Sequence, residues 1–368
     1  MRISFVMFSL SAGGAEKVAS GLANHWVRIG HQVTFITIDS RKSDFYLLDE
    51  RLTRVALGLA GESRSWFQFL RNSLRRMGRL RTAVLAATPD VVVSFLDATN
   101  VLVLLTLLGS GIPVVVSERV DPRVKPTSGL LRLLRRAVYP LARALVVQTH
   151  EVSSWACELV KGDSVWVIPN AVMMPAASRG RAAASKVGKP FTVLSMGRLD
   201  AQKGFDLLLK AFALCSTKHS NWHLRIIGEG PERGPLTTLA DKLGIKSRVH
   251  LDSITEEATR ALLEGDLFVL SSRYEGFPNV LLEAMAVGLP VISCDCRSGP
   301  AEIIRDGVDG VLVPPENVIA LAAAMDRLMS ADEERRRLAA RAVEVTERFG
   351  FALVMRMWDQ VLEKAAAY

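Results

Sequence analysis

Two stretches of this chain combine glycines with charges of the kind that handle phosphate and sugar. In Gly197-Arg198-Leu199-Asp200-Ala201-Gln202-Lys203-Gly204, Arg198 and Lys203 stand five residues apart, after an apolar run and before a helical pattern. An arginine offers a planar fork of donors suited to phosphate, and a lysine adds a compact charge. Together they can neutralise a diphosphate leaving group without a metal. The second stretch is Glu275-Gly276-Phe277-Pro278-Asn279-Val280-Leu281-Leu282-Glu283. Its turn residues predict a helix from about Asn279, with Glu275 in the loop and Glu283 about one turn inside. The N–H groups of such a helix start suit phosphate or sugar oxygens, and Glu283 can accept hydrogen bonds from ribose hydroxyls. A plainer reading of the same residues is a set of solvated charges plus a capping carboxylate.

Two further loops carry weaker signals. Ser9-Leu10-Ser11-Ala12-Gly13-Gly14 leads from an apolar run into a helix, where an anion could bind. Gly228-Glu229-Gly230-Pro231 could bring backbone close to a nucleobase. Both are equally consistent with tight turns.

The elements that must position these loops alternate in a regular way. Strands are predicted over residues 2–8, 32–38, 90–96, 113–118, 144–149 and 165–168. After the segment 173–189 a second set is predicted over 191–196, 223–227, 249–252, 267–271, 290–294 and 310–313. Continuous Val- and Ile-rich runs are expected of buried parallel strands, and their alternation with helices predicts doubly wound α/β domains. Helices are predicted over 15–29, 317–330, 332–348 and 351–367. The chain therefore divides into an N-terminal domain 1–172, a linker 173–189, a C-terminal domain 190–350 and a last helix within 351–368 that crosses back to the first domain. The expected architecture is α/β, with two facing Rossmann-like doubly wound domains and a cleft between them. Ligands of such sheets bind outside the carboxyl ends of the strands.

A chain of 368 residues, 49% hydrophobic and 23% charged, is globular and long enough for two cores. No apolar stretch reaches the roughly 18 residues needed to span a bilayer. The four cysteines form neither a disulfide framework nor a zinc pattern, so a cytoplasmic, reduced protein is expected, and Cys294-Asp295-Cys296 reads as a strand end. The net charge of +8 lies wholly in the first half, with 21 basic and 13 acidic residues up to Val172 and 25 of each thereafter. Residues 63–82 carry Arg64, Arg71, Arg75, Arg76, Arg79 and Arg81 without an acid. Residues 123–143 carry Arg123, Lys125, Arg132, Arg135, Arg136 and Arg143, again without an acid. Large apolar residues interleave with both runs, a pattern expected of helices that lie on an anionic membrane surface.

The two glutamates separated by seven residues, preceded by Gly-Arg-x-x-x-x-Lys-Gly, resemble the retaining family 4 glycosyltransferases of the GT-B fold. Gly13-Gly14-Ala15-Glu16, Ile168-Pro169-Asn170-Ala171-Val172, Gly299-Pro300-Ala301-Glu302-Ile303-Ile304 and Gly307-Val308-Asp309-Gly310 extend the resemblance along most of the chain. It implies transfer of a hexose or N-acetylhexosamine from a nucleotide diphosphate, uridine diphosphate by default, with Arg198 and Lys203 on the diphosphate, Glu275 on the sugar and Glu283 on the ribose. Gly14, Asn170, Gly197, Gly228, Phe277, Pro278, Asn279 and Val280 are implied as further donor contacts. Retention implies front-face attack, in which a leaving phosphate oxygen takes the acceptor proton. No cofactor is implied beyond the nucleotide sugar as co-substrate. No Asp-x-Asp tripeptide is present, and no metal is expected.

Many relatives carry a histidine after the fourth strand of this reading. Here the loop is Ser117-Glu118-Arg119-Val120-Asp121-Pro122. This version resembles the branch that builds surface polysaccharides and lipid-linked oligosaccharides. Glu118 or Asp121 then binds the acceptor or its sugar, or else pairs with Arg119 in a structural role. With the basic runs, this predicts a polyprenyl-diphosphate-linked acceptor and a peripheral place on the cytoplasmic membrane face. A transferase with a soluble acceptor and a non-catalytic binding protein are the alternatives. Nucleic acid is not expected as a partner, for the basic runs carry no nucleic-acid motif.

Overall fold

The computed structural model describes residues 1–61, 66–124, 126–173, 190–253 and 258–367. The chain forms two compact units, Met1–Asn170 with Ala352–Tyr368, and Ala171–Phe351. Of the expected linker, all but Met173 lies outside the described residues.

In the first unit the order is β1 (Arg2–Met7), α1 (Gly14–Arg28), β2 (Gln32–Thr37), β3 (Thr53–Ala56), α2 (Trp66–Ala86), β4 (Val91–Phe95), α3 (Asp97–Thr106), β5 (Val114–Ser117), α4 (Gly129–Val138), β6 (Ala144–Val147), α5 (His150–Cys157) and β7 (Val165–Val167). The strands pair in parallel in the order β3-β2-β1-β4-β5-β6-β7. The sequence reading missed β3. Only four residues long, it stands at the sheet edge and has Arg54 in it, so it is no continuous apolar run. Arg54 folds over the edge to Asp44 at 2.7 Å and to the Thr37 hydroxyl at 2.8 Å.

In the second unit the order is β8 (Phe191–Met196), α6 (Phe205–Ser216), β9 (Trp222–Ile227), α7 (Arg233–Lys242), β10 (Val249–Asp252), α8 (Ala258–Glu264), β11 (Leu267–Leu270), α9 (Asn279–Ala286), β12 (Val291–Cys294), α10 (Pro300–Ile303), β13 (Val311–Val313), α11 (Val318–Ser330), α12 (Asp332–Ala342) and α13 (Val345–Arg348). This sheet is also parallel, in the order β10-β9-β8-β11-β12-β13. The single helix expected over 332–348 is broken at Val343-Glu344. There the Glu344 carboxylate turns to Arg305 at 2.6 Å and Arg341 at 2.8 Å.

Both sheets follow the 3-2-1-4-5-6 order, in which the winding direction reverses between the first and fourth strands. Outside the carboxyl ends of those two strands a crevice opens. In the second unit they are β8 and β11. Alternate residues of β8 confirm the double winding, for Val193 joins the core with α6 and α11, while Leu194 joins the core with α9 on the other face.

The last helix, α14 (Phe351–Ala366), belongs chiefly to the first unit. Val354, Met355, Trp358, Val361, Leu362 and Ala365 form its buried stripe at helical spacing. Trp358 packs edge-on against Trp26 at 6.4 Å and lies 5.6 Å from Phe95. Asp359 accepts the Trp26 indole N–H at 3.1 Å. Replacing Trp358 with alanine should lower the stability of this unit by roughly 3–5 kcal/mol. Urea unfolding followed by tryptophan fluorescence measures it, and a loss under about 1 kcal/mol would mean that the helix does not brace the sheet.

Candidate functional site

The loop after β8 carries Arg198 and Lys203, and the loop after β11 carries Glu275. The two expected charge clusters therefore flank the point where the winding reverses. The loops are also stitched together. The Ser271 hydroxyl donates to the Lys203 carbonyl at 2.9 Å, and the Arg273 amide to the Gln202 carbonyl at 2.8 Å. Gln202 donates back to the Tyr274 carbonyl at 3.0 Å, and Arg273 reaches Asp206 with both terminal nitrogens at 2.9 Å. Gly204 makes this approach feasible. Its φ of +61° is left-handed, and a Cβ there would lie 2.2 Å from the Ser271 carbonyl oxygen.

The stitching delivers one contact between predicted site residues. Lys203 Nζ lies 2.7 Å from Glu275 Oε1. The Ser272 hydroxyl donates to the same oxygen at 2.6 Å. Glu275 is only 5% exposed, so its charge is held by an ammonium and a hydroxyl in a nearly dry position. The Lys203 stem runs along Gly197, where a Cβ would meet Lys203 Cε at 3.1 Å. Arg198 is not part of this contact. It is 71% exposed on its side chain and bonds through Nε to Asp200 at 2.5 Å.

The other expected donor residues of this unit are placed as follows. Gly228 is needed for packing against the first loop, since a Cβ on it would strike the Gly197 carbonyl oxygen at 1.9 Å. The Leu199 amide then donates to the Glu229 carbonyl at 2.7 Å. Asn279 and Val280 open α9 and are half-buried, as is Glu283 further along it, while Pro278 is buried. The Phe277 ring is in the core, edge-on to Phe349 at 5.3 Å, so only its backbone faces the loop. Gly299 and Ser298 close over this turn, the Ser298 hydroxyl on the Gly276 carbonyl at 3.3 Å. Asp309 is fully buried and tied to Arg305 at 2.6 Å and Arg348 at 3.0 Å, so that motif pins the β13 region. Burial pushes the Cys294 thiol up to about 11 and that of Cys296, beside Glu275, further still.

Gly14, Asn170, Glu118 and Asp121 lie in the first unit. Gly14 is the first residue of α1, and the Glu16 side chain folds back over the helix start, where a Cβ on Gly13 would meet its Oε2 at 2.1 Å. The alternative that paired Arg119 with Glu118 or Asp121 is corrected. Arg119 hydrogen-bonds the buried Asn170 side chain and stacks over Phe95 at 4.7 Å. Burial without a carboxylate brings its guanidinium down to about 9. Glu118 instead accepts from the Tyr139 hydroxyl at 2.5 Å and faces Arg135 at 3.8 Å. Burial, then the Glu118 charge, hold the Tyr139 phenol well above its ordinary range. Asp121 is 0% exposed and accepts from Arg123 at 2.8 and 2.9 Å.

The basic runs are also less free than their composition suggests. Arg123 is spent on Asp121 and Glu151, and Arg135 is buried over Trp155 at 4.9 Å. Arg76 donates to the Leu59 and Gly61 carbonyls, and Arg81 to the Thr106 carbonyl. Arg64 and Lys125 lie outside the described residues. What remains exposed is Arg71, Leu74, Arg75 and Arg79 on α2, and Leu130, Arg132, Leu133 and Arg136 on α4. Both helices pack against α3. Among the described residues no helix is long and apolar enough to cross a membrane.

Comparison with known proteins identifies the family. Residues 13–171 match the family described as Glycosyl transferase 4-like domain, and residues 179–345 match Glycosyl transferases group 1. The chain belongs to the family 4-type glycosyltransferases. This transferase is 29% identical, over 98% of both chains, to a Campylobacter jejuni α-1,4-N-acetyl-D-galactosaminyltransferase whose name specifies an undecaprenol-diphosphate-linked glycan. It is 38% identical to a Streptomyces coelicolor exopolysaccharide phosphotransferase over 62% of its own length, which spans only 24% of that longer protein. The Anabaena HepE structure with UDP and glucose aligns over 99% of both chains with a TM-score of 0.80 at 19% identity, and shares the GT-B fold.

Sequence reasoning missed two supporting residues of these loops, Asp200 and Ser272. Each lies within three residues of a predicted charge, and a carboxylate or hydroxyl so close to Arg198 or Glu275 was the available signal. Alanine at position 204 should destabilise the second unit by about 1–3 kcal/mol, through strain and the clash with Ser271. Differential scanning calorimetry tests this, and an unchanged melting profile would show that the loops are not wedged together.

Proposed function

We propose that the transferase moves a hexose or N-acetylhexosamine from a uridine diphosphate sugar, with retention and without a metal, to a polyprenyl-diphosphate-linked glycan at the cytoplasmic membrane face. The observation that carries this reading is the Lys203–Glu275 pair beside Arg198 at the winding reversal of the second sheet. Arg198 and Lys203 hold the donor diphosphate, taking the charge that builds on it as the sugar–phosphate bond breaks. Lys203 then exchanges its carboxylate partner for phosphate, and Glu275 turns its oxygens to the sugar hydroxyls. Glu283 holds the ribose. The acceptor hydroxyl attacks the anomeric carbon on the face the phosphate leaves, and its proton passes to the departing phosphate oxygen. No side chain forms a covalent intermediate. The names of the Campylobacter relative and of the Anabaena complex support the acceptor and donor classes respectively.

Glu275→Gln should keep the fold and lose turnover by on the order of 3 kcal/mol in barrier, a hundredfold or more. Wild-type turnover should survive EDTA. A Glu275→Gln variant with near-normal transfer overturns the assignment, and inhibition by chelator reversed by magnesium or manganese overturns the metal-free mechanism.

The membrane part of the reading rests on the exposed arginines and leucines of α2 and α4, each arginine contributing about 1 kcal/mol near an anionic surface. The protein should sediment with phosphatidylglycerol-containing liposomes at low salt and leave them at high salt. Arg71→Glu combined with Arg75→Glu should weaken this strongly. Protein that stays in the supernatant at low salt, and uses a water-soluble sugar as well as a lipid-linked one, would establish a soluble acceptor instead.

A further inference from the structure

Asp200 touches both basic residues of the loop after β8 with its two oxygens, the guanidinium of Arg198 and the main chain of Lys203. Oδ2 accepts from Arg198 Nε at 2.5 Å, and Oδ1 from the Lys203 backbone N–H at 3.3 Å. The second bond caps the short helical turn Ala201–Lys203, which ends at the left-handed Gly204. We propose that Asp200 is the positioning residue that orients this pair of cations for a diphosphate, an inference that rests on the donor-site reading above.

The physical case begins with exposure. Arg198 is 71% exposed, and an arginine so placed samples many rotamers unless something holds it. The tie is made at Nε, not at the terminal nitrogens. That fixes the plane of the guanidinium and leaves Nη1 and Nη2, which have no partner among the described residues, as a fork for two phosphate oxygens. A carboxylate near a diphosphate site would ordinarily repel the ligand. Here both oxygens are already engaged by donors, and the side chain is 18% exposed, so its charge is spent within the loop. The Oδ1 bond acts on Lys203 differently. It holds the backbone from which the lysine stem runs along Gly197 to Glu275. One short side chain thus sets the direction of Arg198 and the starting point of Lys203.

The two bonds can be separated. In Asp200→Ser the hydroxyl can still cap the turn but cannot reach Arg198 as an ion-pair partner. The expected result is a fall in kcat of roughly ten- to hundredfold, with a smaller change in donor KM and an unchanged melting temperature. Asp200→Asn, which keeps an acceptor oxygen, should recover part of the loss. The decisive arm is a double-mutant cycle with Arg198→Ala, in which Asp200→Ser should have no further effect once the arginine is gone. A Ser variant within about twofold of wild type, or an equal loss in the Arg198→Ala background, overturns the positioning role. If Arg198→Ala alone leaves transfer intact, the donor-site reading fails instead.

Discussion

A methyl group on Gly204 would lie 2.2 Å from the carbonyl oxygen of Ser271. That near-contact of two main chains governs the geometry of the loops after β8 and β11. β8 and β11 are neighbours in a parallel sheet, but the helices that follow them depart to opposite faces, so their loops would diverge unless something drew them together. The glycine permits the approach, and the hydrogen bonds of Ser271, Gln202 and Arg273 fasten it. A second pair of glycines does the same on the other side, where Gly228 and Gly230 press against the backbone of Gly197 and Leu199. The loop bearing both cations is therefore clamped between two neighbours, and its side chains project from a fixed backbone.

Fixing the backbone leaves an electrostatic problem. Glu275 is nearly dry, and a buried carboxylate is tolerated only with a partner. Lys203 and Ser272 supply that partner on a single oxygen. The pair is self-contained when no anion is present, and the lysine is the more exposed member at 18% against 7%. The carboxylate also holds the Ser272 hydroxyl on the oxygen it shares with the lysine, so its charge is met wholly within the two loops.

Much of this was legible in the sequence, and the reasons are local. Arg198, Lys203 and Glu275 stand directly after continuous apolar strands, and a parallel α/β sheet places such loops on one edge whatever the rest of the chain does. β3 was not legible, because an edge strand of four residues with an arginine inside has no apolar period. For Gly228 the sequence left two readings, backbone approaching a base or a tight turn, and the structure adds a packing need, since a Cβ there would strike the Gly197 carbonyl oxygen. Nor could the acid-free runs reveal that Arg123 and Arg135 are met by Asp121 and Glu118, since those acids lie just ahead of residues 123–143 in the chain.

The first unit shows how charges adjacent in sequence can find their partners elsewhere in the fold. The loop after β5 presents Glu118, Arg119 and Asp121 in a row, and alternating charge suggests mutual pairing. The observed partners lie elsewhere. Asp121 is taken by Arg123, Glu118 turns to Tyr139 and Arg135, and Arg119 to Phe95 and Asn170. Asn170, at the end of this unit, is thereby tied to the loop 51 residues before it. An arginine is suited to that task, because its plane can stack on a ring while its edge donates to an amide oxygen. Among the described residues it makes no ion pair with a carboxylate, and burial lowers its affinity for the proton.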